Sequence, residues 1–285
     1  LHRRRHSFPT RRSSDLEMMV GHSVSFVTEK KAANPGKVVL DIKDLVVNES
    51  RGAQAVKSLS LQVHAGEIVG IAGIDGNGQS ELVRAITGLQ HVESGQIDVK
   101  GQNVANFRPR QITEMSVAHI PEDRHRDGLI LAMTVAENIS LQTYYQAPLS
   151  RHGLLNYKEI NRHARDLMTE FDVRGASELV SAASLSGGNQ QKAVIAREID
   201  RNPDLMIVSQ PTRGLDVGAI EYIHKRLIRA RDEGKAVLVV SYELDEILNV
   251  SDRIAVIHDG QIQGIVDPRE TSKQALGVMM VGGKG

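Results

Sequence analysis

The 285-residue chain contains no cysteine and no tryptophan, and aromatic residues make up only 3% of it. Without cysteine there can be no disulfides, thiolate zinc sites or cysteine nucleophiles, a composition that suits a reducing compartment. So few aromatics argue against a stacking platform for single-stranded nucleic acid. Long apolar runs are missing too. None is longer than AVLVV, from Ala236 to Val240, which is far too short to span a bilayer, so any link to a membrane goes through a partner protein. Net charge is also absent, with 35 Lys and Arg against 35 Asp and Glu.

What is present is an ordinary globular composition, 40% hydrophobic and 25% charged. The length allows one large domain or two small ones with a substantial core. Residues 1–16, LHRRRHSFPTRRSSDL, stand apart. An Arg- and Ser-rich, acid-poor start has the composition of an organelle transit peptide. We favour another origin: reverse-translated, His6–Leu16 fits one frame of a common short-read sequencing adapter. On that reading the segment is a non-native artefact and the gene is truncated at its 5′ end. Without it 30 basic residues face 34 acidic ones, a net charge of −4, which argues against a nucleic-acid binder.

Residues 17–36 read as a remnant of a preceding unit followed by the polar linker TEKKAANPG. A compact α/β domain is expected from Lys37 to about Pro268, with residues 269–285 as a tail. VVLDIKDLVV and VKSLSLQV alternate apolar and polar residues like half-exposed antiparallel strands. GEIVGIAG leads into a Gly-rich loop, and SELVRAITGL continues as a helix closed by Gly88. From about 129 to 183 the pattern is helical, with Ile160, Ala164, Leu167, Met168 and Phe171 on one face. DLMIVS and AVLVVSY are short buried strands, and RIAVIHDGQIQGIV is a hairpin turned by Asp259-Gly260. Short apolar strands alternating with helices predict a largely parallel sheet.

The Gly-rich loop is GIDGNGQSE, from Gly73 to Glu81. It has the form G-x-x-x-x-G-K-[ST] except that Gln79 stands at the lysine position. Gly73, Gly76 and Gly78 allow the tight turn that aims backbone N–H groups at a phosphate, at the positive end of the following helix. Ile74, Asp75, Asn77 and Glu81 complete the loop, and Ser80 stands where a hydroxyl would ligate Mg²⁺. Taken alone, the stretch is equally a Gly-rich turn that binds nothing. Downstream lies LSGGNQQK, where Ser186, Gly187, Gly188, Asn189 and Gln190 open a helix with a hydroxyl and free backbone donors. By itself that is a helix N-cap.

The full string LSGGNQQK resembles the signature motif of ATP-binding-cassette (ABC) ATPases. In that family two cassettes pair head to tail, and each nucleotide sits between one phosphate loop and the other's signature. The remaining motifs follow in the family's order. HIPEDR resembles the loop coupling nucleotide to permease, with Glu122 where Gln is usual. MTVAENI resembles the start of the helical subdomain. LMIVSQPTRGLDVGA resembles the carboxylate-bearing strand and the dimer-contact loop that holds Asp216, and VLVVSYELDEI resembles the switch strand. The resemblance covers Lys37 to Pro268 and implies a P-loop NTPase fold of the ABC-ATPase type. That fold has a mainly parallel core sheet with flanking helices, an antiparallel β subdomain and an inserted helical subdomain, here about 129–183.

The strings look most like the second cassette of tandem ATPases serving bacterial importers of sugars such as ribose and galactose, or of nucleosides. LEMMVGHSV then resembles the end of a lost first cassette. The resemblance implies ATP and Mg²⁺ as cofactors. It implies as partners the first cassette, two membrane permease subunits and, indirectly, an extracytoplasmic binding protein, with no nucleic acid. The expected place is peripheral, on the cytoplasmic face of the bacterial cell membrane.

Four departures qualify the ATPase chemistry. Gln79 replaces the loop lysine, Ser209 the Mg²⁺-anchoring Asp, Gln210 the Glu that polarises water, and Tyr242 the switch His. No aromatic residue lies between Lys37 and His64, where many cassettes place a ring for adenine. A unit charge lost about 4 Å from a phosphate forfeits roughly 4 kcal/mol at an effective dielectric near 20. Removing a general base typically costs about 10²–10⁴ in rate. Charge- and proton-handling groups are gone while the glycines, the signature and Asp216 remain. The expectation is a degenerate half-site, unable to hydrolyse alone, that lends Ser186–Gln190 to a competent partner site.

The rivals are a self-sufficient ATPase homodimer, a non-transport cassette protein of repair or translation, and a scaffold that touches no nucleotide. A steady-state ATPase assay separates the first. The second usually carries coiled-coil, zinc-binding or long basic insertions, which this sequence does not show. The eleven His have no metal spacing, and His258 reads as structural. DRHRD, Asp123–Asp127, reads as a solvated face in a region that approaches the permease in this family. Arg213 stays open between structural and interface roles.

Overall fold

The computed structural model describes residues 30–49, 52–175 and 177–283. The adapter-like segment and most of the expected first-cassette remnant lie outside the described residues.

Alternation of side chains builds the first layer. Strands β1 (Val38–Asn48) and β2 (Gln54–His64) pair antiparallel and bury one face each, with Leu40, Ile42, Val47, Val56, Leu61 and Val63 turned inward. β3 (Glu67–Ala72) is buried at every position. The loop after it leads into α1 (Gln79–Ile86), whose Leu82, Val83, Ala85 and Ile86 pack inward. Gly88, at φ +73°, follows the helix and lies close to the Phe107 carbonyl, so a side chain there would collide. β4 (Ser94–Val99) and β5 (Gln102–Asn103) complete a four-stranded sheet in the order β2-β1-β4-β5.

The second layer is a six-stranded sheet. A short helix, α2 (Pro109–Glu114), precedes β6 (Val117–Ile120). Further along come β9 (Leu205–Ser209), β10 (Ala236–Val240), β11 (Arg253–His258) and β12 (Gln261–Val266), once the intervening β7 (Ser150–Arg151) and β8 (Leu154–Leu155) are counted. The order is β12-β11-β3-β10-β9-β6. Every pairing is parallel except β11–β12, the hairpin, whose turn residues Asp259 and Gly260 are both left-handed at φ 45° and 75°. Both faces of the inner strands are covered, which is why β9 and β10 read as unbroken apolar runs, whereas β12 at the edge alternates exposed and half-buried residues. Ile68, Val237 and Val239 face one apolar cluster, and Val69, Ile71, Leu238 and Val240 the other.

Helices pack on the first of these faces. α3 (Val135–Ser140) opens with Thr134 and Glu137 capping each other reciprocally. α4 (Tyr157–Glu170) buries Ile160, Ala164, Leu167 and Met168, and Phe171 is buried just beyond it. Between α3 and α4 the chain is not helical throughout. It makes turns and the small β7–β8 hairpin around His152-Gly153, both with positive φ, which apolar periodicity did not reveal. α5 (Gly187–Asp200) and α6 (Val217–Asp232) flank the sheet. α7 (Leu244–Val250) crosses β3 at Gly70, where an added Cβ would lie 2.1 Å from the Ser251 Oγ. Past Pro268, α8 (Lys273–Met280) buries Leu276 and Met280 in the same cluster. Among the described residues no helix is long and apolar enough to cross a membrane.

Candidate functional site

The phosphate-type loop runs from the end of β3 to the start of α1. Steric demands, more than propensity, explain its glycines. A Cβ on Gly73 would meet Gln79 Nε2 at 2.3 Å and Ile257 at 2.5 Å. Gly78 is left-handed at φ +96°, and a Cβ there would sit 2.3 Å from the Ala55 carbonyl. α1 begins with no side-chain cap, so its first-turn N–H groups are left for a ligand.

Gln79 does not reach toward that ligand position. It is 2% exposed, its Nε2 donates to the Ile74 carbonyl at 3.1 Å, and its Oε1 has no partner. The amide thus fills the floor of the loop, where a lysine would carry a charge outward. Asp75 stands exposed on the crest.

Neighbouring strands bring three further positions alongside. β9 ends at Ser209, which is buried and neutral. Gln210 follows with a left-handed φ of 47°, its N–H bound to the Val240 carbonyl at 2.8 Å. Its Oε1 accepts from the Tyr242 N–H at 3.3 Å, and its buried Nε2 has no partner. From the end of β10, the Tyr242 hydroxyl donates to Asp75 Oδ1 at 2.8 Å. Burial first, and then the Asp75 carboxylate, push the Tyr242 phenol up to about 12, so it stays a neutral donor at physiological pH.

Two clefts flank the loop. One of about 400 Å³ is lined by Ser80, His119, Glu122, Ser209 and Arg213, among others, and burial holds the His119 imidazole below its ordinary value. The other, of about 790 Å³, is lined by Asp75, Gln210, Arg213, Leu215 and Tyr242, together with residues of α6 and α7. Arg213 joins them: its guanidinium pairs with Glu122 at 2.7 Å. That bond links the HIPEDR loop to the loop that leads to Asp216 and gives Arg213 a place that sequence reasoning left open.

The signature segment lies elsewhere on the surface. Ser186 caps α5 and accepts from the Asn189 N–H at 3.4 Å and the Asn189 Nδ2 at 3.0 Å, while Asn189 Oδ1 accepts from the Arg174 N–H at 2.8 Å. Gly188 packs close to Ala219 and Asp216, and Asp216 caps α6 by accepting from the Ala219 N–H at 2.9 Å. Gln190 is buried, with its Nε2 on the Ala182 carbonyl at 3.1 Å and its Oε1 2.8 Å from His125 Nε2. Arg124 reaches the same Gln190 oxygen at 3.4 Å, and a Cβ on Gly187 would crowd the Arg124 guanidinium at 2.9 Å. DRHRD is therefore more than a solvated face, because its first three residues form a turn that braces the signature helix. None of Ser186–Gln190 lines either cleft, and no hydrogen bond among the described residues joins them to the phosphate-type loop. Within the chain the two segments stay apart.

The loop's shape fits a phosphate chain: glycines hold it open, and a Cβ on Gly76 would meet nothing within 4 Å. The donor set fits a divalent cation poorly. Ser80 and Ser209 are neutral, Glu122 is committed to Arg213, and no cluster of three His, Asp or Glu among the described residues could hold a metal. His258, read as structural, has its Nδ1 3.0 Å from the Met280 carbonyl.

Residues 56–213 match the family model described as ABC transporter. The chain belongs to the ABC transporter family. It is 75% identical over 267 residues, 94% of its length, to the nucleoside import ATP-binding protein NupA of Lactococcus lactis subsp. cremoris, of which it covers 53%. It is 58% identical, over 93% of its length, to the guanosine import ATP-binding protein NupO of Bacillus subtilis, covering 52%. A ribose import ATP-binding protein of Bacillus cereus is 35% identical over 94% of the chain and 53% of its own length. The ABC chain thus spans about half the length of the curated relatives it matches. Among solved structures, a nucleotide-free ATP-binding cassette from an ABC transporter superposes with a TM-score of 0.71, at 21% identity, over 86% of this chain and 96% of that one. A dimeric cassette bound to ADP and phosphate gives 0.69 at 22% identity, over 81% and 100%. The fold is the ABC ATPase cassette, α/β with a mixed core sheet and a separate antiparallel sheet.

Proposed function

We propose that this chain is one nucleotide-binding cassette of the ATP-binding subunit of a nucleoside importer, and that it is the degenerate one of a pair. Identities of 75% and 58% to nucleoside and guanosine import proteins, against 39% and 35% to glucose and ribose import proteins, favour nucleosides over sugars as cargo. Its partners are then a first cassette, two permease subunits and, through them, an extracytoplasmic binding protein. Its place is the cytoplasmic face of the membrane.

One observation carries the degenerate role. Around a well-formed phosphate loop, Gln79 is folded into the floor and Ser209 and Gln210 are neutral, whereas Ser186 stands exposed at the open end of α5. A loop without lysine, anchoring Asp or general base lacks the charge that stabilises phosphoryl transfer. A helix N-terminus whose capping hydroxyl is exposed still offers donors to a terminal phosphate held by another cassette. ATP supplies the binding energy that closes such a pair, and this chain's contribution is to complete the partner's site and relay closure through its helices.

The test is Mg-ATP hydrolysis by this chain alone and mixed with an intact first cassette from a related importer. The chain alone is expected to be inert, and the mixture to be stimulated in a way that a bulky residue at position 186 abolishes. Turnover by the chain alone, lost on Ser80→Ala, would instead establish a self-sufficient ATPase.

A further inference from the structure

Gln190 is the first buried side chain of α5, one turn after Ser186. Its N–H donates to the Ser186 carbonyl at 2.9 Å, so the two residues belong to one turn of helix. The side-chain amide fits in one orientation only. Nε2 donates to the Ala182 carbonyl at 3.1 Å, while Oε1 faces His125 Nε2 at 2.8 Å and Arg124 Nε at 3.4 Å. Reversed, the amide would set its oxygen against a carbonyl and its NH2 against a guanidinium. Oε1 is therefore an acceptor, and the His125 ring must donate to it from Nε2.

The two donors are unequal. The Arg124 bond is long, and the same guanidinium also reaches the Arg213 carbonyl at 3.4 Å. The 2.8 Å bond from His125 is the one that fixes the buried oxygen. His125 is itself held by a tight turn, in which Asp123 Oδ1 accepts from the His125 N–H at 2.9 Å and the Arg126 N–H at 3.2 Å.

We propose that His125 is a positioning residue: through Gln190 it fixes the direction in which Ser186 and the amides of Gly187–Asn189 face the phosphate of a partner cassette. This rests on the reading of the chain as a signature donor. The HIPEDR loop, tied to Arg213 by Glu122, then sets the aim of the signature, because its displacement reaches Ser186 through His125 and Gln190.

The experiment compares the native full chain with His125→Ala and His125→Gln, whose amide can donate from near the imidazole Nε2 position. His125 is exposed, so neither variant threatens the fold. Hydrogen exchange of residues 186–190 is followed in the chain alone, and stimulation of Mg-ATP hydrolysis in the mixture with an intact first cassette. His125→Ala is expected to speed exchange in that segment and to cut stimulation, each by about five- to tenfold, the worth of one hydrogen bond to a buried acceptor. His125→Gln is expected to restore both to within about twofold of the native chain. Unchanged exchange in His125→Ala, faster exchange spread over the whole chain, or a Gln variant no better than Ala would overturn the proposal. A native chain that gives no stimulation would sink the signature-donor reading, while the exchange rates still decide whether His125 holds the segment.

Discussion

The phosphate loop and the signature segment are both Gly-containing entries to a helix, and they have opposite states. In the loop, polar groups are turned on one another: Gln79 on Ile74, Tyr242 on Asp75, Gln210 on Tyr242. In the signature, bracing comes from behind, through Arg124, His125 and Arg174, and the Ser186 hydroxyl faces outward. The first arrangement is tied up internally yet leaves Gln79 Oε1 and Gln210 Nε2 without partners, whereas in the second the Ser186 hydroxyl accepts from Asn189 and stays exposed. A helix N-terminus therefore becomes a working anion site only when its neighbours leave the donors free and supply the right charge.

The sharpest way to break that contrast is to restore the loop. The triple variant Gln79→Lys, Ser209→Asp and Gln210→Glu is expected to raise hydrolysis by a pair of these chains by about 10²–10⁴, measured as phosphate release. Gln210→Glu alone should gain less than about tenfold, because the groups act as a unit. On the other side, Ser186→Arg should cut stimulation of a competent first cassette by about 10² or more. Its effect on stability should be only the lost cap, about 1 kcal/mol. If that variant stimulates normally, the open segment is ornamental.

Smaller effects separate shape from chemistry. Gly78→Ala forces a left-handed φ on a residue with a side chain against the Ala55 carbonyl. A loss of roughly 1–3 kcal/mol in urea unfolding is expected. Arg213→Ala removes an exposed ion pair with Glu122 and should cost no more than about 1 kcal/mol; a larger loss would mean that the two loops move as one body. Tyr242 gives a pH signature. Its folded value, near 12, is raised above the ordinary 10. Its stabilising contribution is therefore complete below pH 10 and is lost as pH rises from 10 toward 12. Tyr242→Phe should flatten stability over that window, as followed by alkaline denaturation.

The layers of this protein were legible in its sequence because strand and helix periods record which face is buried. Ile160, Ala164, Leu167 and Met168 on α4, and the all-apolar β9 and β10, follow directly from local pattern. Gly73 and Gly78 were likewise readable as glycines demanded by a tight turn, and the neutral residues at 79, 209 and 210 could be seen without coordinates. The β7–β8 hairpin was not readable, since it is two residues on each side and carries no period.

Nor could pairings between distant loops be read. Asp75 and Tyr242 are 167 positions apart and Glu122 and Arg213 are 91 apart. Composition and spacing say which groups exist, but hydrogen bonds form between atoms that only the packed sheet places within 3 Å. The sequence by itself determined the elements, the glycine turns and the missing charges. Tertiary structure decided that the loop closes on its own side chains and that the signature faces away. Both depend on how β3, β9 and β10 lie side by side, and that order is set by burying both faces of one sheet.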